Sequence, residues 1–177
     1  MKQRIITALI LIPLAIGWLF FLSAEYFSLL AAVLFFLAGR EWGRFSSPDL
    51  TTIYATSYTA ILCLTYYFSP LHFVLEGTLL PLVKGILFIS VAWWLLALVM
   101  ILRYPGFESW WQTRKSLQWL FGLCTLLPFF WSLLILRSHH YQQDPAVGSW
   151  ALLFVMSLVW VADTGAYFTG RAFGARK

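Results

Sequence analysis

Six apolar stretches, joined by connections too short to hold a domain, leave this chain few ways to fold. They cover residues 5–22, 26–38, 52–68, 79–102, 117–136 and 149–169. A helix needs about 20 mainly apolar residues to cross a bilayer, and in lipid each backbone N–H and C=O must be satisfied within the segment or by closed pairing. The stretch 26–38 reaches that length only if it continues through 40–45. Pro13 marks a kink in the first stretch, and 52–68 is the most polar of the six. Hydrophobic residues make up 61% of the chain and charged residues 11%, against roughly 45–50% and about 25% in a soluble domain. The expected fold is all-α: a polytopic membrane protein of about six transmembrane helices forming one domain over 1–177, with no soluble domain and no internal repeat.

The opening stretch is not a secretory leader. Its apolar run, 5–22, exceeds the roughly 7–15 residues of a signal core. Leu22 would also occupy the −3 position of a cleavage after Ala24. An uncleaved first span is expected.

Lys and Arg set the orientation. Of the 12 in the chain, Lys84 and Arg137 fall on one side, and Lys2, Arg4, Arg40, Arg44, Arg103, Arg114, Lys115, Arg171, Arg176 and Lys177 on the other. This bias predicts a multi-pass protein of the inner, cytoplasmic membrane with both the N-terminus and the last fifteen residues at the cytoplasmic face. The net charge of +5 therefore reflects membrane topology, and nothing points to nucleic acid. Cys63 and Cys124 lie in apolar runs and read as buried small apolar side chains. Glu41 and Arg44 suit an interfacial helical ion pair. Arg114 and Lys115 suit a positive-inside anchor, and Lys84 an outward snorkel. Trp93 and Trp94 suit packing or lipid contact. His139 and His140 are adjacent, so a helix would point them about 100° apart, which is poor for a shared metal.

The remaining feature is an acid inside the last apolar stretch. Asp163 would cost about 2.5–3.5 kcal/mol at a helix centre in lipid, which marks it as a functional candidate. If the helix runs to the end, Asp163, Tyr167, Gly170, Arg171, Gly174 and Lys177 fall within about 80° of one direction. Gly170 and Gly174 make a small-xxx-small step open to a close neighbour. The stripe ascends from acid to base, an order that suits a metal–phosphate ligand: the carboxylate for a hard cation such as Mg²⁺, the cations for phosphate oxygens. The competing reading is structural, with snorkelling anchors and an acid paired to another helix. A phosphate loop is excluded, because Arg171 and Ala172 replace its Lys and Ser/Thr and no strand precedes it.

At these residues the chain resembles the bacterial phosphatidate cytidylyltransferases, the CDP-diacylglycerol synthases. The likeness lies in V-W-V-A-D-T-G-A-Y-F-T-G-R-A-F-G-A-R-K over 159–177, with support from K-Q-R-I-I-T-A-L-I-L-I-P over 2–13 and A-G-R-E-W-G-R-F over 38–45. The resemblance implies transfer of a cytidylyl group from CTP to phosphatidic acid with Mg²⁺, in phospholipid biosynthesis. It gives Asp163 a place in the metal–nucleotide site and makes Asp163 and Lys177 the catalytic candidates. Arg171 and Lys177 would meet phosphates, and Tyr167, Gly170, Arg171 and Gly174 would bind substrate. CTP, phosphatidic acid and membrane lipids are the implied partners, with a homodimer as a further expectation. The family's S-x-x-K-R…K-D…H-G-G-x-x-D-R-x-D signature has no match in 1–177. The sequence therefore reads as the N-terminal two-thirds of such an enzyme, expected to be inactive alone. The alternatives are a CTP-dependent polyprenol or phytol kinase-like enzyme, and a transporter or membrane scaffold. A transporter would show paired interrupted helices, and Asp163 has no counterpart in a matching half.

Overall fold

The computed structural model describes residues 2–106 and 108–174, the side chains at 2–8 and 172 aside. All regular structure among the described residues is helical: α1 (Lys2–Phe21), α2 (Ala24–Ser46), α3 (Thr51–Phe68), the short α4 (Leu71–Leu75), α5 (Pro81–Leu102), α6 (Lys115–Arg137) and α7 (Pro145–Phe173). The six long helices match the six expected stretches. Three regions, Pro81–Leu102, Lys115–Arg137 and Pro145–Arg171, are long and apolar enough by length and composition to cross a membrane. Pro81 and Pro145 open α5 and α7, where a missing N–H costs nothing. Asp144 adds a cap to α7, its carboxylate accepting from the Ala146 N–H at 2.8 Å.

The α2–α3 hairpin forms the centre, α6 lies along it, and α5 and α7 flank α6, with α1 against α7. Glycines set the closeness of this packing. A Cβ on Gly43 would lie 2.7 Å from Thr51 Cα, and one on Gly39 would lie 3.2 Å from Ala55 Cα. A Cβ on Gly122 of α6 would run into the Tyr58 hydroxyl and the Trp42 indole. This small-xxx-small step at 39 and 43 lets α2 run unbroken to Ser46, so the short second stretch does gain its extension.

The two ends of the bundle are fastened differently. At the basic end, hydroxyls and indoles of α2 and α3 reach the first turns of α6. Tyr58 donates to the Trp119 carbonyl at 2.7 Å, Tyr54 to the Lys115 carbonyl at 2.8 Å, and Trp42 Nε1 to the Gln118 carbonyl at 2.9 Å. Trp119 returns an N–H to Ser57 at 2.8 Å, and the Lys115 ammonium reaches the Ser46 carbonyl. At the opposite end a single cation gathers three helices. Arg137 is only 2% exposed. Its Nη1 donates to the Pro145 carbonyl at 3.0 Å and its Nη2 to the Leu22 carbonyl at 3.3 Å. The guanidinium also lies 5.8 Å from the Phe27 ring and 5.6 Å from that of Tyr141. Ser149 of α7 completes the joint by donating to the Leu19 carbonyl at 2.8 Å.

One expectation about the cysteines needs correction. Cys63 is exposed on α3 and Cys124 is half-buried, both as free thiols. Cys63 lines an open cavity with Leu29 and Ala32 of α2 and Phe130 of α6.

Three outcomes follow, all read by thermal unfolding of the purified protein in detergent. Gly43→Ala is expected to destabilise by about 1–3 kcal/mol, because the methyl group meets backbone that cannot swing aside. Gly85→Ala, with nothing within 4 Å of the new Cβ, is expected to stabilise by up to about 1 kcal/mol through helix propensity. Arg137→Gln is expected to cost about 1.5–3 kcal/mol through lost charge-assisted hydrogen bonds. An unchanged midpoint for Arg137→Gln would remove that residue from the joint.

Candidate functional site

The site grows out of the way α7 is held. Its first half is fixed against α1: Ser149 bonds to Leu19, Leu152 is buried, and Trp150 meets Phe20 edge-on at 4.8 Å. Residues 161–171 are all exposed. Between the held half and the open half lies an apolar cleft of about 380 Å³. Leu152, Val155, Met156, Val159 and Trp160 line it from α7, facing Trp18, Phe35 and Phe130 from α1, α2 and α6. At 100° per residue, those five α7 residues fall within about 80° of the direction of Asp163. The apolar wall of the cleft therefore continues, on one helix face, into Asp163, Tyr167, Gly170 and Arg171.

Depth changes the reading of Asp163. The helix has 29 residues, about 43 Å at 1.5 Å each, against roughly 30 Å of hydrocarbon. Asp163 lies about 27 Å along it from Pro145. The acid thus sits toward the basic end and not at the helix centre, and the full penalty for a charge at the centre does not apply.

The expected stripe is present in part. Asp163 is exposed and, among the described residues, has no hydrogen bond or ion pair. Tyr167 meets Phe168 edge-on at 5.6 Å. Nothing lies within 4 Å of a Cβ built on Gly165 or Gly170. Arg171 occupies the last turn, where a cation meets the negative end of the helix dipole. The helix stops at Phe173, and Gly174 closes it by donating to the Gly170 carbonyl at 3.0 Å. Gly174 is therefore the cap at the end of the helix that carries the stripe, and Lys177 lies outside the described residues. Among the described residues no helix packs on the Gly170 step.

Among the described residues, no group of three or more His, Cys, Asp or Glu side chains comes together. Asp163 alone offers one carboxylate. Mg²⁺ commonly takes one or two carboxylates, with waters and substrate phosphates filling the remaining positions. The donor set here fits that shared mode and not an all-protein cage. The other charged and imidazole groups of interest are ordinary. Glu41 and Arg44 form the expected exposed i, i+3 ion pair at 2.9 Å, a kind that contributes little. His139 and His140 lie in a turn, with His140 Nδ1 3.0 Å from Gln143 Oε1.

Sequence reasoning did not single out the Tyr54–Tyr58 seam or the buried Arg137. The polarity of 52–68 was the visible signal for the first, since its two tyrosines lie four apart on one helix face. Arg137 gave none, because its burial depends on Leu22 and Pro145 arriving from other helices.

Fold and site together describe a helical integral membrane protein with an apolar cleft leading into a charged stripe. The chain belongs to the cytidylyltransferase family, whose model matches residues 2–177. It is 36% identical over 180 residues to the phosphatidate cytidylyltransferase of Haemophilus influenzae, covering 100% of this chain and 62% of that protein. It is 35% identical over 181 residues to the phosphatidate cytidylyltransferase of Pseudomonas aeruginosa, covering 100% of this chain and 60% of that one. The chain thus spans about three-fifths of the length of these relatives. No solved structure matches it.

Gly170→Ala tests whether the stripe is built for packing within this bundle. With open space around it, the substitution is expected to leave the thermal midpoint unchanged or raise it slightly, through up to about 1 kcal/mol of helix propensity. A clear loss of stability would mean that another segment packs on Gly170.

Proposed function

We propose that this protein serves the transfer of a cytidylyl group from CTP to phosphatidic acid, giving CDP-diacylglycerol and pyrophosphate, at the cytoplasmic face of the inner membrane. The observation that carries this reading is the continuity of the α7 face. An amphipathic substrate needs an apolar channel that ends in charge, and the residues lining the cleft lie on the same half of the helix surface as Asp163 and Arg171, centred near Asp163. Similarity to phosphatidate cytidylyltransferases along the whole chain supports the choice of reaction. The segregation of Arg40, Arg44, Arg103, Arg114, Lys115 and Arg171 at one end supports a cytoplasmic placement of the stripe.

In this reading the acyl chains lie along the cleft and the lipid phosphate rises to the stripe. A phosphate oxygen attacks the α-phosphorus of CTP, forming the new P–O bond, while the bond to the β-phosphate oxygen breaks and pyrophosphate leaves. Catalysis of this kind rests on positioning and on neutralising charge. Asp163 would hold Mg²⁺ together with nucleotide phosphates. When bound, the ion would supply charge neutralisation at the transferring phosphorus. Arg171 would meet phosphate oxygens with its planar donor fork. Tyr167 would donate its hydroxyl proton to the ligand, and Gly170 would keep the helix surface low enough for close approach. Gly174 would leave room for the ligand at the end of the helix, and Lys177 would supply a second cation.

Membranes carrying the product of the whole reading frame test this with CTP labelled at either the α- or the γ-phosphorus. The expected result is α-label in lipid, dependent on added phosphatidic acid. Asp163→Asn is expected to lower kcat by about 10²–10³-fold, the scale for losing a group that stabilises transition-state charge. Arg171→Ala is expected to raise KM for CTP. Transfer of γ-label to an alcohol lipid would overturn the reading in favour of a kinase, and an unchanged kcat in Asp163→Asn would remove Asp163 from the site.

A further inference from the structure

A second cavity, of about 400 Å³, opens between α5, α6 and α2 at the basic end, separate from the α7 stripe. Trp42, Trp93, Tyr104, Glu108, Trp111 and Phe121 line it. The indole N–H groups of two of these are already committed. Trp42 donates to the Gln118 carbonyl at 2.9 Å and Trp93 to Thr125 Oγ1 at 3.0 Å. Trp93 also lies against Phe121 at 4.6 Å between ring centroids, and Trp111 lies 6.3 Å from the same ring. With those polar edges in use, the walls offer mainly ring surface. Glu108 brings a negative charge to these rings. It is half-buried and, among the described residues, its carboxylate has no hydrogen bond or ion pair.

Aromatic surface with one unpaired carboxylate is the environment that an organic ammonium ion favours, through cation–π attraction and charge pairing. Glu108 is left facing the cavity, and a cation entering from the membrane interface would pair with it. The cavity is also layered like a lipid. Along α5 the wall runs from Trp93 through Ala97 and Met100 to Ile101, about 12 Å, and Tyr104 and the acid Glu108 follow beyond the helix end. Exposed Arg103 and Arg114 border the same connection and can attract a phosphate at the headgroup level. We propose that this cavity binds a zwitterionic phospholipid, phosphatidylethanolamine. Its ammonium sits among Tyr104, Trp111 and Glu108, its phosphate toward Arg103 and Arg114, and its chains along the lipid-facing side of α5.

The test is native mass spectrometry of the purified protein, titrated with phosphatidylethanolamine or phosphatidylglycerol of identical acyl chains. Phosphatidylglycerol keeps the phosphate and removes the cation. The wild-type protein is expected to prefer phosphatidylethanolamine by about fivefold or more, the range of a cation–π contact. Glu108→Gln and Trp111→Leu are each expected to bring the ratio toward one. Thermal midpoints verify that both variants fold, and Glu108→Gln preserves side-chain size at a position with no partner to lose. Equal binding of the two lipids, preference for phosphatidylglycerol, or an undiminished preference in folded Glu108→Gln would each overturn the proposal.

Discussion

The placement of the helices depends on one buried cation. Arg137 lies at the end of α6 and reaches the carbonyls of Leu22, just after α1, and Pro145, at the start of α7. An arginine keeps its charge at any ordinary pH, so its burial demands partners. No acidic residue supplies them here. Carbonyl oxygens near helix ends and two aromatic faces do so instead, which suits a planar fork better than a point charge. Nε remains without a hydrogen-bond partner among the described residues, so the fit is incomplete. Gly148 shows how tight it is, since a Cβ there would strike the Arg137 carbonyl.

Fastening α7 at that end has a consequence at the other. The basic end is joined by hydroxyl and indole donors of α2 and α3 reaching α6, and α7 takes no part in that seam. A helix held at one end and about 43 Å long can depart from its neighbours, and the residues past Trp160 are exposed while Leu152 is buried. The cleft is the space opened by that departure. The same face that packs near Leu152 lines the cleft at Val159 and carries Asp163 and Arg171 beyond it. Burial, groove and charge are thus successive parts of one helical stripe.

The helical class was legible because hydropathy over 20 residues is a local property, and so was the segregation of Lys and Arg. Less legible was which local pattern would find a partner. The small-xxx-small step occurs at 39 and 43 and again at 170 and 174. The first meets Thr51 and Ala55 at van der Waals limits, while Gly170 faces open space and Gly174 is a cap. Spacing alone cannot distinguish these cases, because the difference lies in another helix. Arg137 is a similar case, since charge counting saw a loop cation and its burial comes from chain 115 residues away. The direction of the stripe from Asp163 was legible from 3.6-residue geometry. Its position along the helix was not, because that depends on where α7 begins, and the Asp144–Pro145 start puts the acid past the helix centre.

Both cavities lie at or lead toward the basic end, for a reason rooted in solvation. A charged group in hydrocarbon is expensive, and an apolar wall in water gains nothing from staying there. The two can be joined in one site only where hydrocarbon gives way to headgroups. Positive-inside topology adds cations at that level on one side, which suits phosphate. An acid there is then the informative residue, because the general bias does not explain it. Asp163 follows an apolar wall and stands below Arg171, an arrangement that suits a metal-bridged polyphosphate. Glu108 lines a cavity with indoles, in a connection flanked by Arg103 and Arg114, an arrangement that suits an ammonium joined to a phosphate. What separates the two sites is the surface each acid faces: open helix beside a cleft for Asp163, and aromatic rings for Glu108. Neither difference can be read from charge or hydropathy alone, since both acids lie near the same boundary and close to the same kind of base.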